Sequence, residues 1–259
     1  MEPDRVKLLD GKICIVTGAA GSLGLAAAEL FLREGARVTL VDRDTAALQA
    51  AVHHLAEHAA QLMVQTADVA DARATAGFVE ATLARWGGLD VLFCNAGVSG
   101  EICPVVDYPE DVFDRVMAVN VRGPFLGCKY ALPKMRDGGS IVITSSVVGT
   151  TSDPGIAAYA ASKHAVIGLM RTVAKEAAPR RIRVNVVAPG PIENEFQRNV
   201  EIGLSRAIGR DAKKFLDGLI PLGRHGRAEE IGRLVLYLDS DHSSFSTGGV
   251  FMADGGMSI

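Results

Sequence analysis

Tyr159 stands four residues before Lys163 in AAYAASKHAV, residues 157–166, where most other side chains are small. Residues at i and i+4 share one helix face, so phenol and ammonium are neighbours if this stretch is helical. A phenol with its ordinary pKa near 10 stays protonated at neutral pH, and lowering it by about three units takes roughly 4 kcal/mol of preferential phenolate stabilisation. A lysine on the same face supplies part of that, and a phenol so tuned can give and take protons near neutrality. Ser146 closes GSIVITSS, 139–146, and could donate a hydrogen bond to an oxygen on which charge builds up. The same Tyr–Lys spacing also occurs on ordinary solvated helices, so the surrounding elements decide its meaning.

Those elements alternate along the chain. KICIVTG (12–18), ARVTLVD (36–42), AQLMVQTAD, LDVLFCNAG (89–97), GSIVITSS, IRVNVVAPG (182–190) and GGVFMADGG read as strands. Helical patterns lie between them. SLGLAAAELFLREG (22–35) ends at Gly35, and RDTAALQAAVHHLAEH follows the second strand. Asp71 caps a helix that stops after Trp86 at Gly87-Gly88, and a long helix runs from about Tyr108 to Met135, broken or bent at Pro124. The Tyr159 helix and AEEIGRLVLYLDS complete the set. Nearly all-apolar strands imply a parallel sheet covered on both faces, and right-handed crossovers wind it in both directions. The expected fold is α/β: a doubly wound (Rossmann) parallel sheet of about seven strands with helices on both faces. One domain over 1–259 is expected, with a helical substrate lid at about 191–223.

The first strand ends in TGAAGSLG, 17–24, directly before a helix. Glycines there let the backbone approach a pyrophosphate, which the helix N-terminus attracts. Gly18, Ser22, Leu23 and Gly24 are the candidate contacts. Asp42 ends the second strand, 24 residues after Gly18. Its carboxylate could accept hydrogen bonds from both ribose hydroxyls of NAD and would repel a 2′-phosphate. The alternative is a plain helix cap, and the neighbouring Arg43 weakens the case against NADP slightly. Asp68 and Val69 end the third strand, where Asp68 could reach the adenine amino group. Asn95, Ala96 and Gly97 end the fourth, where backbone passes close to the cofactor.

Taken in order, these pieces resemble the short-chain dehydrogenase/reductase family. The match runs from about Gly11 to Gly256 and comprises the 17–24 turn, Asp42, Asp68, NAG at 95–97, Asn120 in VNV, Ser146, Tyr159 with Lys163, and PG at 189–190. The resemblance implies a catalytic tetrad of Asn120, Ser146, Tyr159 and Lys163. It favours Ser146 over Ser145 because Ser146 precedes Tyr159 by 13 residues, the family's usual interval. It also implies that Lys163 binds the nicotinamide ribose, that Asn120 holds a water linking Lys163 to solvent, and that Pro189, Gly190 and Ile192 lie beside the nicotinamide. Two positions depart from the pattern. Ser22 stands where the family has its second glycine, that glycine being one earlier at Gly21. Asn194 stands where the family often has threonine; its amide could still bond the nicotinamide carboxamide.

The segment after Pro189 carries Phe196, Val200, Leu204 and Ile208 at helical spacing, an apolar stripe that could close over the site. Val147, Val148 and Pro191 should border the same pocket, with Phe196 and Leu204 as substrate contacts. Arg198, Arg206 and Arg210 are read as solvent-facing. These residues point to NAD(H) and a secondary alcohol or ketone. The alternatives are an NADPH-dependent biosynthetic reductase of 3-ketoacyl type, a silent NAD-binding sensor or scaffold, and, more weakly, a dehydratase or epimerase. Family analogy implies a homotetramer.

Bulk properties fit an enzyme of small molecules. Apolar residues make up 48% and charged residues 22%, enough for a substantial core. A net charge of −3 gives no electrostatic case for a nucleic-acid partner. No apolar run approaches the ~20 residues of a bilayer span, and the start MEPDRVKLLDGK lacks the apolar core of a secretory leader. A cytoplasmic location is the default. Cys14, Cys94, Cys103 and Cys128 form no C-x-x-C pair, so neither metal nor disulfide is expected. The six histidines (53, 54, 58, 164, 225, 242) are scattered and read as surface or packing residues.

Overall fold

The computed structural model describes residues 7–259; the first six, which include part of the charged stretch that argued against a leader, lie outside the described residues. Seven strands form one parallel sheet: β1 (Ile13–Thr17), β2 (Arg37–Asp42), β3 (Leu62–Thr66), β4 (Val91–Cys94), β5 (Ser140–Thr144), β6 (Arg183–Pro189) and β7 (Val250–Ala253). Their order is β3-β2-β1-β4-β5-β6-β7. Strand order therefore reverses between β1 and β4, which opens a crevice at the carboxyl ends of those strands. Thr17 stitches that crevice. Its Oγ1 accepts from the Asn95 and Ala96 amides at 3.0 and 3.2 Å and donates to Phe93 O at 3.4 Å.

Side chains alternate across the strands, so the two faces feed two cores. Cys14 and Val16 of β1 join Phe31 of α1 (Ser22–Arg33) and Val235 of α9 (Ala228–Asp239) on one face. Ile15 joins Phe78 of α3 (Ala72–Trp86) and Met170 of α6 (Ala157–Ala177) on the other. Every residue of β1 and of β6 is buried, as double coverage requires.

Helix ends follow the expected chemistry with one change. Asp71 Oδ1 accepts from Ala74 N at 2.7 Å, and α3 stops at Gly87 in the left-handed region, φ 75°. The helix α2 (Thr45–His54) is capped by Asp44, whose Oδ1 accepts from Ala47 N at 3.0 Å, so Asp42 is not its cap. The long helix expected over Tyr108–Met135 is in fact three pieces followed by a 3-10 turn (Leu132–Lys134). The first is α4 (Glu110–Met117), the second a wide π turn (Ala118–Arg122), the third α5 (Gly123–Ala131). The break precedes Pro124 because proline has no N–H for the Asn120 carbonyl one turn earlier, so the ladder widens there. That turn buries Asn120.

The segment expected to be helical after Pro189 holds α7 (Glu195–Ile208) and α8 (Ala212–Leu219). Gly209, at φ 67°, ends α7, and Asp211 Oδ1 caps α8 by accepting from Lys214 N at 2.9 Å. Among the described residues, no helix is long and apolar enough to cross a membrane, and no group of three metal-ligating side chains occurs. Cys14, Cys94 and Cys128 are buried, and burial pushes all three thiols up.

Candidate active site

The turn after β1 needs its first and last glycines. A Cβ on Gly18, which has φ 62°, would lie 2.8 Å from Ala96 Cα, and one on Gly24 would lie 2.2 Å from Gly18 O. The turn thus folds tightly on itself and on the end of β4, leaving a backbone cradle ahead of α1. Gly21 has φ −75° and a Cβ there would meet nothing closer than 3.4 Å, so the backbone does not demand a glycine at that position. Asn95 braces the cradle from the side: Nδ2 donates to Gly18 O at 3.2 Å and Oδ1 accepts from Thr144 Oγ1 at 3.2 Å.

Asp42 ends β2 beside this cradle. Its Oδ2 accepts from Ala20 N and its Oδ1 from Asp44 N, both at 3.2 Å, so the carboxylate is oriented by backbone. Arg43 is exposed. Asp68 is exposed and bonds Ala70 N at 2.8 Å, while Val69 is buried against Gly123. Gly97 opens directly onto the tetrad positions: a Cβ there would lie 3.4 Å from Asn120 Oδ1 and 3.6 Å from Lys163 Nζ.

Those positions converge at the carboxyl end of β5 and the first turns of α6. Lys163 is 3% exposed, donates from Nζ to Thr144 O at 2.9 Å, and lies 5.5 Å from the Tyr159 ring centroid. Ser146 is buried, and its hydroxyl acts to lower the Tyr159 phenol against the effect of burial. Ser145 faces the other way, donating to Lys163 O at 2.8 Å, which leaves Ser146 as the serine at the tyrosine hydroxyl. Asn120 is clamped rather than open. Its Oδ1 accepts from Val98 N, and its Nδ2 donates to Val98 O and to Ser162 Oγ, at 2.9, 2.9 and 3.0 Å. Ser162 in turn donates to Tyr159 O at 2.7 Å, so Asn120 ties the loop after β4 to the tyrosine's own turn.

The electrostatics differ from the expectation of a lowered phenol. Burial pushes Tyr159 up to about 12, opposed by its hydrogen bond with Ser146. Burial brings Lys163 down to about 8. The protein's own groups therefore hold a protonated phenol, because an ammonium weakened by burial and engaged with Thr144 does not offset the phenol's desolvation.

On the other side, Pro189 ends β6, and a Cβ on Gly190 would lie 2.8 Å from Asp254 Cα. Pro191 and Ile192 are buried, Ile192 within the core. Asn194 caps α7, accepting from Gln197 N at 2.8 Å, and donates from Nδ2 to Ser22 Oγ at 2.9 Å. Its amide, expected to reach a carboxamide, is thus engaged at both ends. Phe196 brings its ring to 6.2 Å from the Tyr159 ring. Val147 and Val148 are buried beside Ser146, and Leu204 lies about two turns along α7 from Phe196, partly buried. Arg198, Arg206 and Arg210 are exposed.

Sequence reading missed Thr17, Thr144 and Ser162, whose polar groups act through partners far along the chain. His225, read as a surface or packing residue, is buried between two carboxylates, Asp217 Oδ1 at 2.6 Å and Glu201 Oε1 at 2.8 Å. No spacing signals that contact, because α7, α8 and the segment before α9 each supply one member.

The glycine cradle at the start of α1, the oriented carboxylate at the end of β2 and the opening at Gly97 form a crevice whose lining fits a dinucleotide. The family described as enoyl-(acyl carrier protein) reductase matches residues 18–258. The 3-oxoacyl-(acyl-carrier-protein) reductase FabG of Thermotoga maritima is 38% identical over 253 residues, 97% of this chain and 99% of that protein. The crystal structure of levodione reductase superposes with a TM-score of 0.92 at 35% identity, covering 96% of this chain and 98% of that one. The structure of an NAD+-bound xylitol dehydrogenase does so at 0.89 and 36%, covering 96% and 99%. Fold, site and relatives agree, and the chain is an oxidoreductase of the short-chain dehydrogenase/reductase family.

Proposed function

We propose that this oxidoreductase interconverts a secondary alcohol and a ketone with NAD(H), Tyr159 serving as the general acid and base. The observation that carries this reading is Lys163, buried and 5.5 Å from the Tyr159 ring, with Ser146 acting to lower the same phenol. Bound nicotinamide supplies or accepts the hydride. In ketone reduction the protonated Tyr159 gives its proton to the oxygen as charge develops there. Ser146 donates a second hydrogen bond to that oxygen, one that strengthens towards the transition state. Lys163 Nζ, as an ammonium, favours the phenolate left behind. In alcohol oxidation the same groups run in reverse. Asn120 positions the loop carrying Gly97 against α6.

Asp42 supports NAD over NADP, since its carboxylate would face a 2′-phosphate. The likeness to an NAD+-bound relative supports the same choice. Turnover compared with NADH and NADPH tests it, and a preference for NADPH would overturn it. A second reading, a 3-oxoacyl-type reductase using NADPH, is favoured by the 38% identity to an enzyme of that name, and Asp42 argues against it. A screen of secondary alcohols and ketones, read by NADH absorbance with both cofactors, separates the two.

The fold reads as one domain in which α7 and α8 are a lid, because Phe196 projects from α7 onto the tyrosine. The reading includes a cytoplasmic homotetramer. A shallow groove lined by Met117, Val121, Phe125 and Leu169, with Phe113 and Phe125 exposed, offers α4, α5 and α6 a face for a second copy.

A further inference from the structure

His225 has 2% of its side chain exposed, yet both of its ring nitrogens meet carboxylates. Nδ1 lies 2.6 Å from Asp217 Oδ1 on α8, and Nε2 lies 2.8 Å from Glu201 Oε1 on α7. An ionised carboxylate only accepts hydrogen bonds, while a neutral imidazole has one donor and one acceptor. The ring therefore bridges the two helices, one carboxylate at each nitrogen.

The surroundings are charged on every side. Asp217 also accepts from Lys213 Nζ at 2.9 Å, and Glu201 from Gln197 Nε2 at 3.4 Å. Lys213 and the His225 ring both draw the Asp217 carboxyl below its ordinary range, and Glu193 adds negative charge near Lys213. On the histidine's own segment, Arg224 pairs with both carboxylate oxygens of Glu230 at 2.9 and 2.7 Å and donates to His225 O at 2.8 Å.

The backbone links this cluster to the candidate nicotinamide segment. Gly226 N donates to Pro191 O at 2.9 Å, and Glu193 N donates to Gly226 O at 2.8 Å. One residue thus holds α7 by one nitrogen and α8 by the other, from a segment paired with 191–193. Phe196, the residue whose ring meets Tyr159, lies five positions before Glu201 on α7.

We propose that His225 is a positioning residue: its ring, bonded to Glu201 and Asp217, clamps α7 to α8 and so holds Phe196 over Tyr159. This rests on the reading of α7 and α8 as a lid.

The test uses the full chain without cofactor. Trypsin cleavage at Arg198, Arg206, Arg210, Lys213 and Lys214 is compared between variants at one pH. Cleavage of His225→Gln should be about tenfold faster than that of the wild type, the equivalent of about 1.4 kcal/mol of local opening. Glu201→Gln, whose amide can still hydrogen-bond the ring, should stay near the slow rate. At one fixed pH, His225→Gln should raise the KM for a ketone several-fold and leave kcat within about twofold. A His225→Gln rate equal to that of the wild type, or a Glu201→Gln rate as fast as that of His225→Gln, overturns the clamp. Altered cleavage with an unchanged KM overturns the positioning of Phe196. The cleavage arm needs no turnover, so failure of the dehydrogenase reading would leave it intact and show separately as no activity on any alcohol or ketone.

Discussion

Asn194 Nδ2 donates to Ser22 Oγ at 2.9 Å, joining two residues 172 positions apart in the chain. These are the two places where the sequence departs from its family's usual pattern, and they touch. Ser22 opens α1 at the glycine cradle, and Asn194 caps α7. The serine in the turn and the asparagine at the head of α7 are therefore one feature, a bond between the glycine cradle and the helix that carries Phe196.

A double-mutant cycle on that pair should show coupling. Ser22→Ala removes the bond alone, whereas Asn194→Ala also removes the α7 cap, worth about 1 kcal/mol. Urea unfolding of the singles and the double should give an interaction energy of about 0.5–1.5 kcal/mol. Strict additivity would mean that the bond contributes nothing to stability.

Replacing Asp42 should relax cofactor choice. Asp42→Ala removes the carboxylate while the Gly18 and Gly24 cradle stays intact. The ratio of kcat/KM for NADPH to that for NADH should rise at least about tenfold, or about 1.4 kcal/mol. A ratio equal to that of the wild type would assign cofactor choice to other residues.

Tyr159→Phe should lower kcat by about a thousandfold, within the range of general acid–base catalysis. NADH binding, read by nucleotide fluorescence, should stay within about twofold, because the phenol's role is in the proton step. Retention of full activity would reject the mechanism.

The pH dependence of ketone reduction should follow Lys163. Its folded pKa is lowered by burial to about 8, so its ammonium is lost as pH rises through that value while Tyr159, raised to about 12, keeps its proton. We expect kcat/KM for reduction to decline above about pH 8, and the limb to vanish from the low residual rate of Lys163→Met. A flat wild-type profile from about pH 6 to about pH 10 would rule out this role for the lysine.

Asp239, far from the crevice at the end of α9, should govern alkaline stability. Both carboxylate oxygens are buried without a hydrogen-bond partner, because Ser140 donates to Leu238 O and Arg183 to backbone carbonyls and Ser243. Burial raises the carboxyl to about 8 from an ordinary value of 3.8, and the folded state therefore holds its proton after the unfolded state has released it. Its contribution falls as pH rises between those values, and the cost is complete above about 8. The gain in Tm from Asp239→Asn should accordingly be larger at about pH 9 than at about pH 5. An equal gain at both would show that ionisation is not the cause.

The alternation of apolar strands with helices, the glycine turn before α1, Asp42 at a strand end and the Tyr159–Lys163 spacing were all legible in the chain. Each is a local pattern set by backbone sterics, side-chain periodicity or strand-end chemistry. The helix break around Asn120 was placed too late, because proline disturbs the ladder at the carbonyl one turn before it.

The sequence by itself determined the fold class and which residue types line the crevice, since periodicity and close backbone packing leave few alternatives. Tertiary structure alone decided what those residues touch. Lys163 is desolvated and given to Thr144, Asn120 is spent on Val98 and Ser162, and His225 sits between Glu201 and Asp217. Charge and hydrogen bonding depend on burial and on partners dozens of residues away, and no local spacing encodes either.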